Sequence, residues 1–402
     1  MRIYLTIQRA LRHKSAKSSF ALAAEVCSYV GGGENERLIV KPLGVGVVGA
    51  NLQGSWGVRA HLPALCRLED VAAVAVTTSH REAAEATASQ FRIPHVFDDA
   101  RALAEHPEVD VVAICVRVPY HFELVMAALD AGKHVYCEWP LGRDSEEALE
   151  LQRQAEGRGV THMVGLQARS SPLLHYVRDL VSEGIIGTVR SVGLTHSVAW
   201  PAQPPPSMAY LQDRSSGAHF LSIPGGHSVD ALCWLFGEFR TLSATMATTI
   251  PNIEIAGTGE QIVRSSADQI VVSGALENGA VACLRLSGGP SAGTGIRLEV
   301  NGDKGDLVIV SGVGGRGIQM SDLRLYRTTG LGKLEMIAVP DSYFPVPGAL
   351  RSGPPLNVAC AYVHLAKAIR EGVPVRPNFA DAVLRHRTLD RIERAAEITL
   401  SL

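Results

Sequence analysis

Residues 43–57 read Leu43-Gly44-Val45-Gly46-Val47-Val48-Gly49-Ala50-Asn51-Leu52-Gln53-Gly54-Ser55-Trp56-Gly57 and carry the clearest structural signal in the chain. The apolar first half is typical of a buried parallel strand, and the glycine-bearing second half is typical of a tight turn that leads into a helix. In dinucleotide-binding folds a helix that begins this way offers unpaired N–H groups and the positive end of its dipole to a pyrophosphate. The stretch therefore predicts a nucleotide cofactor.

Two glycine registers are possible within this stretch. A literal G-x-G-x-x-G match uses Gly44, Gly46 and Gly49, but these glycines belong to the strand and cannot wrap a phosphate. We therefore take Gly49, Asn51 and Gly54 as the phosphate-binding positions. Asn tolerates left-handed backbone, so the turn can form, although the Asn side chain must point away from the ligand or bind it. An ordinary strand and turn of an α/β protein is the alternative.

Length and composition limit the class of protein. A chain of 402 residues exceeds what one core usually organises, so we expect two domains. The formal net charge of -2 argues against direct nucleic-acid binding. No apolar run reaches membrane-spanning length, so we expect no membrane association. The seven cysteines are scattered and lack Cys-x-x-Cys pairs, so we expect reduced thiols, a cytoplasmic protein and no metal centre.

Residues 1–41 fit the rest of the chain poorly. Several basic residues precede the first acid, Glu25, and this acid lies inside the best candidate for a signal-peptide core, Phe20–Val30. We expect a poorly ordered appendage with no role in chemistry. A transit peptide is the alternative.

The end of the second predicted strand, Val71–Thr77, sets the choice of cofactor. NAD-preferring folds place an Asp or Glu there to hold the ribose hydroxyls. Here the strand is followed by Thr78, Ser79, His80 and Arg81, which offer hydroxyls and a guanidinium. The sequence therefore predicts NADP, with NAD possible, bound by Ser79, His80 and Arg81. Alternatively, Arg81 is a solvated side chain at the start of a helix over residues 82–90.

A longer motif follows the next predicted strand, Val109–Val116. Residues 127–141 read Ala-Ala-Leu-Asp-Ala-Gly-Lys-His-Val-Tyr-Cys-Glu-Trp-Pro-Leu. This segment resembles A-G-K-H-V-x-x-E-K-P, the hallmark of the glucose–fructose oxidoreductase and inositol dehydrogenase (Gfo/Idh/MocA) family. Family-like pieces also occur at residues 167–172, 183–187, 226–230, 302–305 and 379–382. The resemblance therefore covers nearly everything after residue 42.

The resemblance implies an α/β fold with two domains. It implies a Rossmann dinucleotide-binding domain at residues 42–164, followed by a C-terminal α/β domain at residues 165–402 with an open, mostly antiparallel sheet. The face of that sheet would hold the substrate and a partner subunit, which makes a homodimer or homotetramer the expected assembly. β-forming residues at 191–198, 269–276, 280–286 and 297–300 agree with this sheet. We expect the polar stretch 250–266 to be a mobile loop.

Two proton-handling positions of the family are altered in this chain. Hydride transfer between a nicotinamide and an alcohol requires a group that takes or gives the hydroxyl proton. In the family this work is associated with the lysine of E-K-P and with an Asp four residues before a His. Here Trp139 replaces the lysine and Ile223 replaces the Asp, whereas His227 remains. An indole N–H can orient a ligand but cannot relay a proton.

The candidate site residues fall into three groups. We predict that His227 is the general acid/base, with Asp230 on the same helix face, although the two residues could form only a structural polar pair. Substrate contacts are predicted for Arg169, Trp200, Tyr210 and His227, with a structural ion pair or simple packing as the alternative. Cofactor contacts beyond those already named are predicted for Trp56, Val116, His121, Glu138, Trp139, Pro140 and Gln167.

Two functions fit the sequence, and we expect the first, with the second as the alternative. The first is an NAD(P)-dependent oxidoreductase that transfers a hydride to or from a sugar, cyclitol or related polyol, with His227 in place of the lysine. The second is a non-catalytic NAD(P)-binding sensor with a protein partner. Asn51, Trp56 and the segment Glu138-Trp139-Pro140 resemble the branch of the family that includes the fungal galactose-regulon repressor, an NADP-binding member that senses. The missing lysine favours the second function, whereas the abundance of dehydrogenases with this fold favours the first.

Overall fold

The computed structural model describes residues 41–400 except 201–202, 291–292, 313–316 and 331, with side chains described to residue 397. The predicted N-terminal appendage, residues 1–41, lies outside this part of the chain apart from its last residue. Among the helices in the described ranges, none is long and apolar enough to cross a membrane.

The first sheet is parallel throughout and has six strands in the order β3-β2-β1-β4-β5-β6. The strands are β1 (Leu43–Val48), β2 (Val71–Thr77), β3 (His95–Phe97), β4 (Val111–Ile114), β5 (His134–Glu138) and β6 (His162–Gly165). The strand order reverses between β1 and β4. This reversal is the switch point at which open α/β sheets bind ligands, at the carboxyl ends of the strands.

Five helices connect these strands. A π-helical turn, Gly57–His61, continues into the short helix α1 (Leu62–Leu65). The others are α2 (Arg81–Phe91), α3 (Ala100–Glu105), α4 (His121–Asp130) and α5 (Ser145–Arg158). Asp99 and Asp144 cap α3 and α5 through side-chain oxygens, as expected for short polar residues before a helix.

Gly44 and Gly46 lie inside β1, where the backbone needs their small size for packing. A Cβ added to Gly44 would lie 1.8 Å from the Glu108 carbonyl oxygen, and one added to Gly46 would lie 2.4 Å from Leu103 Cδ2. These two glycines therefore serve the close packing of the strand. Their positions agree with the choice of the later glycine register as the phosphate-binding one.

The second sheet has eight strands in the order β16-β15-β14-β13-β7-β12-β11-β8. It contains β7 (Val189–Ala199), β8 (Phe239–Ala247), β11 (Gln269–Leu276), β12 (Val281–Gly289), β13 (Ile296–Gly302), β14 (Asp306–Ser311), β15 (Leu323–Arg327) and β16 (Glu335–Ile337). β7 and β12 run parallel, and the other neighbours run antiparallel. The predicted α/β fold, a Rossmann domain followed by a mostly antiparallel sheet, is confirmed.

The expected mobile loop at 250–266 instead contains a small hairpin. Strands β9 (Asn252–Glu254) and β10 (Gln261–Val263) pair antiparallel. Ile253 and Ile255 are buried, and the Arg264 guanidinium, itself buried, lies 2.9 Å from the Asp268 carboxylate. The polar composition misled the prediction because the few apolar side chains of this stretch are the ones that anchor it.

One face of the second sheet is covered by helices. The covering elements include α6 (Pro172–Ser182) and α7 (Gly226–Phe236), which a second π-helical turn, Leu221–Gly225, precedes. Along β7, Val192, Leu194 and His196 are buried on this side, while Gly193 between them is exposed on the opposite face. This alternation is typical of a sheet with one covered face.

The C-terminal helices return to the first sheet. α8 (Pro355–Glu371) places Val358, Tyr362 and Leu365 in the same core as Val45 and Val47 of β1. α9 (Phe379–Leu400) contacts both α5 and β8. The predicted limits, 42–164 and 165–402, describe two stretches of sequence, but the core of the Rossmann domain also includes residues of α8, near the end of the chain.

Candidate functional site

The turn after β1 has the backbone that a phosphate-binding loop needs. Gly49 and Gly54 adopt φ angles of 93° and 92°, a region that favours glycine. A Cβ on Gly49 would lie 2.5 Å from Val116 Cγ1 and 2.8 Å from the Cys115 carbonyl oxygen. At Gly54 an added Cβ would meet nothing within 4 Å, so there only the backbone conformation requires glycine.

Asn51 stabilises this turn from within. Its Oδ1 accepts a hydrogen bond from the backbone N–H of Gln53 at 3.1 Å. The Ser55 hydroxyl accepts from the Asn51 N–H and donates to the Asn51 carbonyl, both at 2.9 Å. Asn51 therefore replaces the middle glycine of the motif because its side chain folds back onto its own turn.

Trp56 offers an unused donor next to the turn. Its indole Nε1 is buried, and it has no hydrogen-bond partner within the described residues. A buried donor without an acceptor costs about 1–3 kcal/mol, so such a group commonly marks the place of a ligand oxygen. The glycine turn and this donor together fit a dinucleotide, which would supply phosphate and ribose oxygens here.

The end of β2 carries less positive charge than its sequence indicates. Arg81 donates through Nε to Glu85 and through Nη1 to Asp98, both at 2.8 Å. The Thr78 hydroxyl donates to the carbonyl of His80, whereas the Ser79 side chain is exposed. Arg81 is therefore neither a bare phosphate ligand nor a simply solvated side chain, because two carboxylates share its guanidinium.

A network of hydrogen-bonded side chains is centred on Glu138, at the end of β5. It lies next to the crevice formed by the carboxyl ends of β1, β2 and β4. His61 Nε2 donates to Glu138 Oε1 at 2.9 Å, and Gln167 Nε2 donates to Glu138 Oε2 at 2.6 Å. The Tyr362 hydroxyl lies 2.7 Å from His61 Nδ1 and donates to it when the ring is neutral. Both predicted cofactor contacts, Glu138 and Gln167, thus have protein partners, and their roles toward a cofactor stay predictions.

The sequence did not predict that His61 and Tyr362 belong to this network of side chains. They lie 301 positions apart, and no local pattern connects them. Gly165 offered a partial signal, since a Cβ at this glycine would lie 2.8 Å from the Glu138 carboxylate. A glycine that ends a buried strand can mark a site where another group approaches the backbone closely.

His121 bridges the segments that follow β4 and β5. Its Nδ1 lies 2.8 Å from the Pro140 carbonyl and its Nε2 lies 3.1 Å from the Val116 carbonyl. Burial lowers the pKa of His121, so the neutral ring donates one of these hydrogen bonds. The ring is 1% exposed, which argues against the predicted cofactor contact. Val116 and Pro140 contribute here through their backbone carbonyls.

Trp139 fills the position at which the family motif has its lysine. Its indole Nε1 donates to the Ser222 carbonyl at 2.8 Å, and its ring packs on His386 with centroids 4.6 Å apart. A Cβ on Gly226 would lie 2.5 Å from Nε1, so the indole rests directly on the backbone at the start of α7. The N–H that was expected to orient a ligand is thus already used within the protein.

Asp230 belongs to a buried network of ion pairs. It accepts from Arg169 at 2.7 and 3.0 Å and from Arg385 at 3.2 Å. Arg169 also donates to Asp381, and Arg385 also donates to Glu238. Burial alone would raise the pKa of Asp230, but the two guanidinium groups hold it below its usual value.

This network argues against two of the predicted roles. Every side-chain nitrogen of Arg169 donates to a carboxylate of the protein, so the side chain has a structural partner where a substrate was expected. Asp230 faces Arg169 and Arg385 and is not hydrogen-bonded to His227 within the described residues. The structural ion pair, which the sequence left open as the alternative for Arg169, is the arrangement observed.

His227 lies in a strongly desolvated position. It is 4% exposed, and its Nδ1 is buried without a partner in the described part of the chain. Burial lowers the pKa of His227 to about 3, against a smaller opposing effect of Asp230. Neighbouring His196 has a pKa of about 4 for the same reason. His227 is therefore neutral at pH 7 and accepts a proton poorly.

The two predicted aromatic substrate contacts differ in their surroundings. Trp200 is buried, donates to Gln212 Oε1 at 3.2 Å and packs on Phe220, so packing accounts for it. Tyr210 carries the Arg117 guanidinium 4.7 Å from its ring centroid. Because Arg117 follows β4, this cation–π contact brings the turn Pro206–Gln212, which carries Tyr210, close to the carboxyl end of β4. Substrate contact by Tyr210 stays a prediction. The sequence did not predict that Arg117 packs on its ring.

One group of metal-type side chains lies away from this crevice. His95, His106 and Glu108 bring their ligand atoms within 4.8 Å of one another. His95 begins β3 and Glu108 precedes β4, so the group lies at the amino ends of the strands, opposite the turn. The prediction of no metal centre in the site stays untested.

Comparison with known proteins matches two segments of the chain to families. Residues 43–166 match the oxidoreductase family with an NAD-binding Rossmann fold, Gfo/Idh/MocA, and residues 172–311 match the Gal80p C-terminal domain. The galactose/lactose metabolism regulatory protein GAL80 of Kluyveromyces lactis is 29% identical over 308 residues, which cover 71% of this chain and 67% of that protein.

Solved structures show the same fold. A super-repressor mutant of Gal80p from Saccharomyces cerevisiae superposes with a TM-score of 0.78 at 20% identity, covering 89% of this chain and 96% of that one. Levoglucosan dehydrogenase, in complex with NADH and levoglucosan, superposes with a TM-score of 0.75 at 24% identity, covering 89% and 97%. At these identities the similarity shows the fold alone.

Residues 43–166 thus match the Gfo/Idh/MocA family of NAD-binding oxidoreductases, and the predicted resemblance to this family is confirmed. Residues 172–311 match the Gal80p C-terminal domain, and the predicted resemblance to the branch of the galactose-regulon repressor is confirmed. The crevice at the carboxyl ends of β1, β2 and β4 lies in the segment that matches this NAD-binding family, and the match supports a nicotinamide cofactor.

Proposed function

We propose that the protein binds a nicotinamide dinucleotide and uses the bound state to control an interaction, without oxidising a substrate. The observation that carries this proposal is the hydrogen bond from Trp139 Nε1 to the Ser222 carbonyl. It turns the lysine position of the family motif, directly after β5, into a fixed contact with the π-helical turn that precedes α7. A nicotinamide would supply hydride chemistry when bound, but this position holds no group that moves a proton.

The electrostatics of the remaining histidine support the same proposal. A general base works best when its pKa is close to the operating pH. The pKa of His227 lies at about 3, roughly four units below neutrality. At about 1.36 kcal/mol per unit, protonating this ring at pH 7 costs about 5 kcal/mol more than protonating a base of matched pKa. Asp230 offsets only a small part of this cost, and Arg169 and Arg385 already bind its oxygens.

In this proposal the chain's own residues have three tasks. The turn at Gly49 and Gly54 holds the pyrophosphate, and the Trp56 N–H donates to a nucleotide oxygen. The chain of Tyr362, His61 and Glu138 fixes the end of β5 behind the crevice. These contacts bind and orient the nucleotide.

We further propose that NADP is preferred over NAD. Arg81 can turn from Glu85 and Asp98 to a 2′-phosphate because exposed ion pairs are worth only about 0–1 kcal/mol each. A charge-assisted, bidentate bond to phosphate is stronger than either. Ser79 and His80 are exposed beside it and can serve the ribose.

An oxidoreductase acting on a sugar or related polyol is the second candidate. The structural similarity to levoglucosan dehydrogenase, which binds NADH and levoglucosan, favours it. His227 would then be the acid/base, and Tyr210 would contact the substrate. This candidate requires that substrate binding raise the pKa of His227 by several units.

The exposed face of the second sheet is our proposed partner surface. Val271, Val281 and Met336 are 42%, 60% and 66% exposed on strands β11, β12 and β16. Exposed apolar side chains on one sheet face favour association with another protein surface. A homodimer or homotetramer, or a regulatory protein partner, would cover this face. Sedimentation of the purified chain distinguishes a homodimer or homotetramer from a monomer.

Binding and turnover measured on the same sample test the proposed function. Calorimetry follows NADP and NAD, while nicotinamide absorbance follows hydride transfer over a panel of sugars, cyclitols and polyols. We expect binding without turnover. Turnover that disappears in His227→Ala but persists in the matched surface variant His95→Ala would establish the oxidoreductase candidate and overturn the sensor.

A further inference from the structure

A polar cavity of ≈ 680 Å³ lies beyond Trp139, away from the glycine turn. It is formed by the start of α5, the segment Asp213–Ser222 and the middle of α9. Neither Trp139 nor His227 is among the residues that line it. A neighbouring cavity of ≈ 170 Å³ shares four lining residues with it, including His219 and Glu393. Pockets that hold small molecules span about 300–1,000 Å³, so the larger cavity has the size of a ligand site.

His219 is the group in this cavity that points to a ligand. The side chain is 9% exposed and lines both cavities. Neither ring nitrogen has a hydrogen-bond partner among the residues described, although the backbone N–H bonds to Ser222. A neutral imidazole offers one donor and one acceptor. An imidazole buried this far therefore has hydrogen-bonding capacity that only a ligand or water in the cavity can use.

The charges of the lining exclude an anion. The lining contains two arginines and four carboxylates, Arg143, Arg214, Asp144, Asp213, Asp390 and Glu393, so with neutral histidines its formal charge is 2 minus 4, or -2. Arg214 donates to Glu393 at 2.8 Å, and Arg143 is held by Glu147. Because both guanidinium groups already have carboxylate partners, a phosphate or sulfate would meet net negative charge.

The same lining suits hydroxyl groups. A hydroxyl both donates and accepts, and the cavity presents carboxylate acceptors beside serine and imidazole groups. A simple ammonium ion would use the acceptors alone and would leave the donors unpaired. Complementarity to both kinds of group therefore favours a polyhydroxylated molecule without charge.

We propose that this cavity binds a neutral polyhydroxylated molecule, a free monosaccharide or cyclitol, as the effector of the nucleotide-binding protein. The effector role rests on the proposed function, whereas the binding itself does not.

The cavity is connected to the nucleotide crevice through the contacts of Trp139. Ser222 and His386 line the cavity, and these two residues also hold the indole by a hydrogen bond of 2.8 Å and a ring contact of 4.6 Å. Trp139 follows Glu138 at the end of β5, the strand fixed behind the crevice by His61. A molecule in the cavity thus touches the residues that set the position of Trp139, which gives a short physical route between the two sites.

Ligand-observed NMR and calorimetry on the full chain test the binding. The probes are glucose, myo-inositol, glucose 6-phosphate and glucosamine, each raised to about 50 mM so that a millimolar Kd is detected. We expect glucose or myo-inositol to bind, and the phosphate ester to bind at least about tenfold more weakly because of the charge of the lining. Preference for glucosamine over both neutral probes would overturn the choice of a neutral ligand.

Two variants and one control locate the site. His219→Ala and Glu393→Gln should each weaken binding about tenfold, the loss of roughly one good hydrogen bond. Glu335→Gln removes an exposed carboxylate on β16, outside the cavity, and should change nothing. Glu393 is partly exposed at the surface, so its variant stays informative if His219→Ala fails to fold. Equal binding by all four proteins would refute the assignment of the cavity.

Nucleotide binding is measured on the same samples, which separates the two proposals. If NADP or NAD binds and neither neutral probe does, the cavity proposal is wrong and the proposed function stands. If a neutral probe binds through His219 and no nucleotide binds, the cavity proposal stands and the proposed function is wrong. When both bind, a change in nucleotide Kd on adding the neutral probe supports the effector role, and an unchanged Kd refutes it.

Discussion

Replacement of Gly226 by alanine tests whether the indole of Trp139 lies where the proposed function needs it. The added Cβ would lie 2.5 Å from Trp139 Nε1 and 2.8 Å from Cε2 and Cζ2. These atoms belong to a rigid ring wedged against His386, so the ring must move as a body. Movement away from Gly226 stretches or breaks the 2.8 Å hydrogen bond to Ser222.

The expected loss of stability follows from three effects. Overpacking one methyl group in a well-packed core costs about 1–3 kcal/mol. A lost hydrogen bond that leaves the indole N–H buried adds about 1 kcal/mol. Alanine in a helix gains up to about 1 kcal/mol over glycine, which offsets part of this. We expect Gly226→Ala to lower the free energy of unfolding by about 1–3 kcal/mol.

Urea unfolding followed by tryptophan fluorescence and circular dichroism measures this loss. Gly157→Ala in α5 is the matched control, because its added Cβ meets nothing within 4 Å, and it should stabilise by up to about 1 kcal/mol. The same substitution at Gly226 in a Trp139→Leu background should lose most of its cost. An unchanged cost in that background, or a Gly226→Ala protein as stable as wild type, would show that the indole does not rest on α7.

Three further predictions use other parts of the structure. Asp230→Asn should lower the free energy of unfolding by about 3–5 kcal/mol because it leaves Arg169 and Arg385 short of a buried partner. In the same urea titration Glu299→Gln, in the exposed pair with Arg297, should change it by less than about 1 kcal/mol, and equal effects of the two variants would contradict the buried network. Arg81→Ala should weaken NADP binding at least about tenfold and NAD binding less than about threefold in calorimetry, and equal effects on both would remove Arg81 from cofactor choice. Burial lowers the pKa of His196 to about 4, so the unfolded chain takes up the proton first and stability falls as the pH drops below about 6.5. Between pH 7 and pH 5, His196 alone should lower the free energy of unfolding by about 2 kcal/mol, and unfolding curves at the two pH values should show a smaller decrease for His196→Asn than for wild type.

Features that depend on local sequence were predictable here. The apolar run 43–48 and the glycines after it specify a strand and a turn, because strand burial and left-handed backbone are set by neighbouring residues. For the same reason Gly49 and Gly54 could be separated from the glycines inside β1. Four of the eight strands of the second sheet, β7, β11, β12 and β13, were predicted from their pattern of β-forming residues, and the structure extends 191–198 to Val189–Ala199.

Features that depend on distant partners were not predictable. The sequence predicts a substrate contact for Arg169, but its partners Asp230 and Asp381 lie 61 and 212 positions away. The direction of the Trp139 N–H is set by Ser222, 83 positions along the chain. Side-chain pairing across domains follows from the packing of whole elements, which no single-sequence pattern records.

The central claim is that the turn at Gly49–Gly54 holds a nicotinamide dinucleotide, and a calorimetric titration of the folded, purified chain tests it most directly. With NADP and NAD as separate titrants, we predict saturable heat with one nucleotide bound per chain and a tighter Kd for NADP. No heat from either nucleotide, in protein shown to be folded by circular dichroism, would contradict both the sensor and the oxidoreductase.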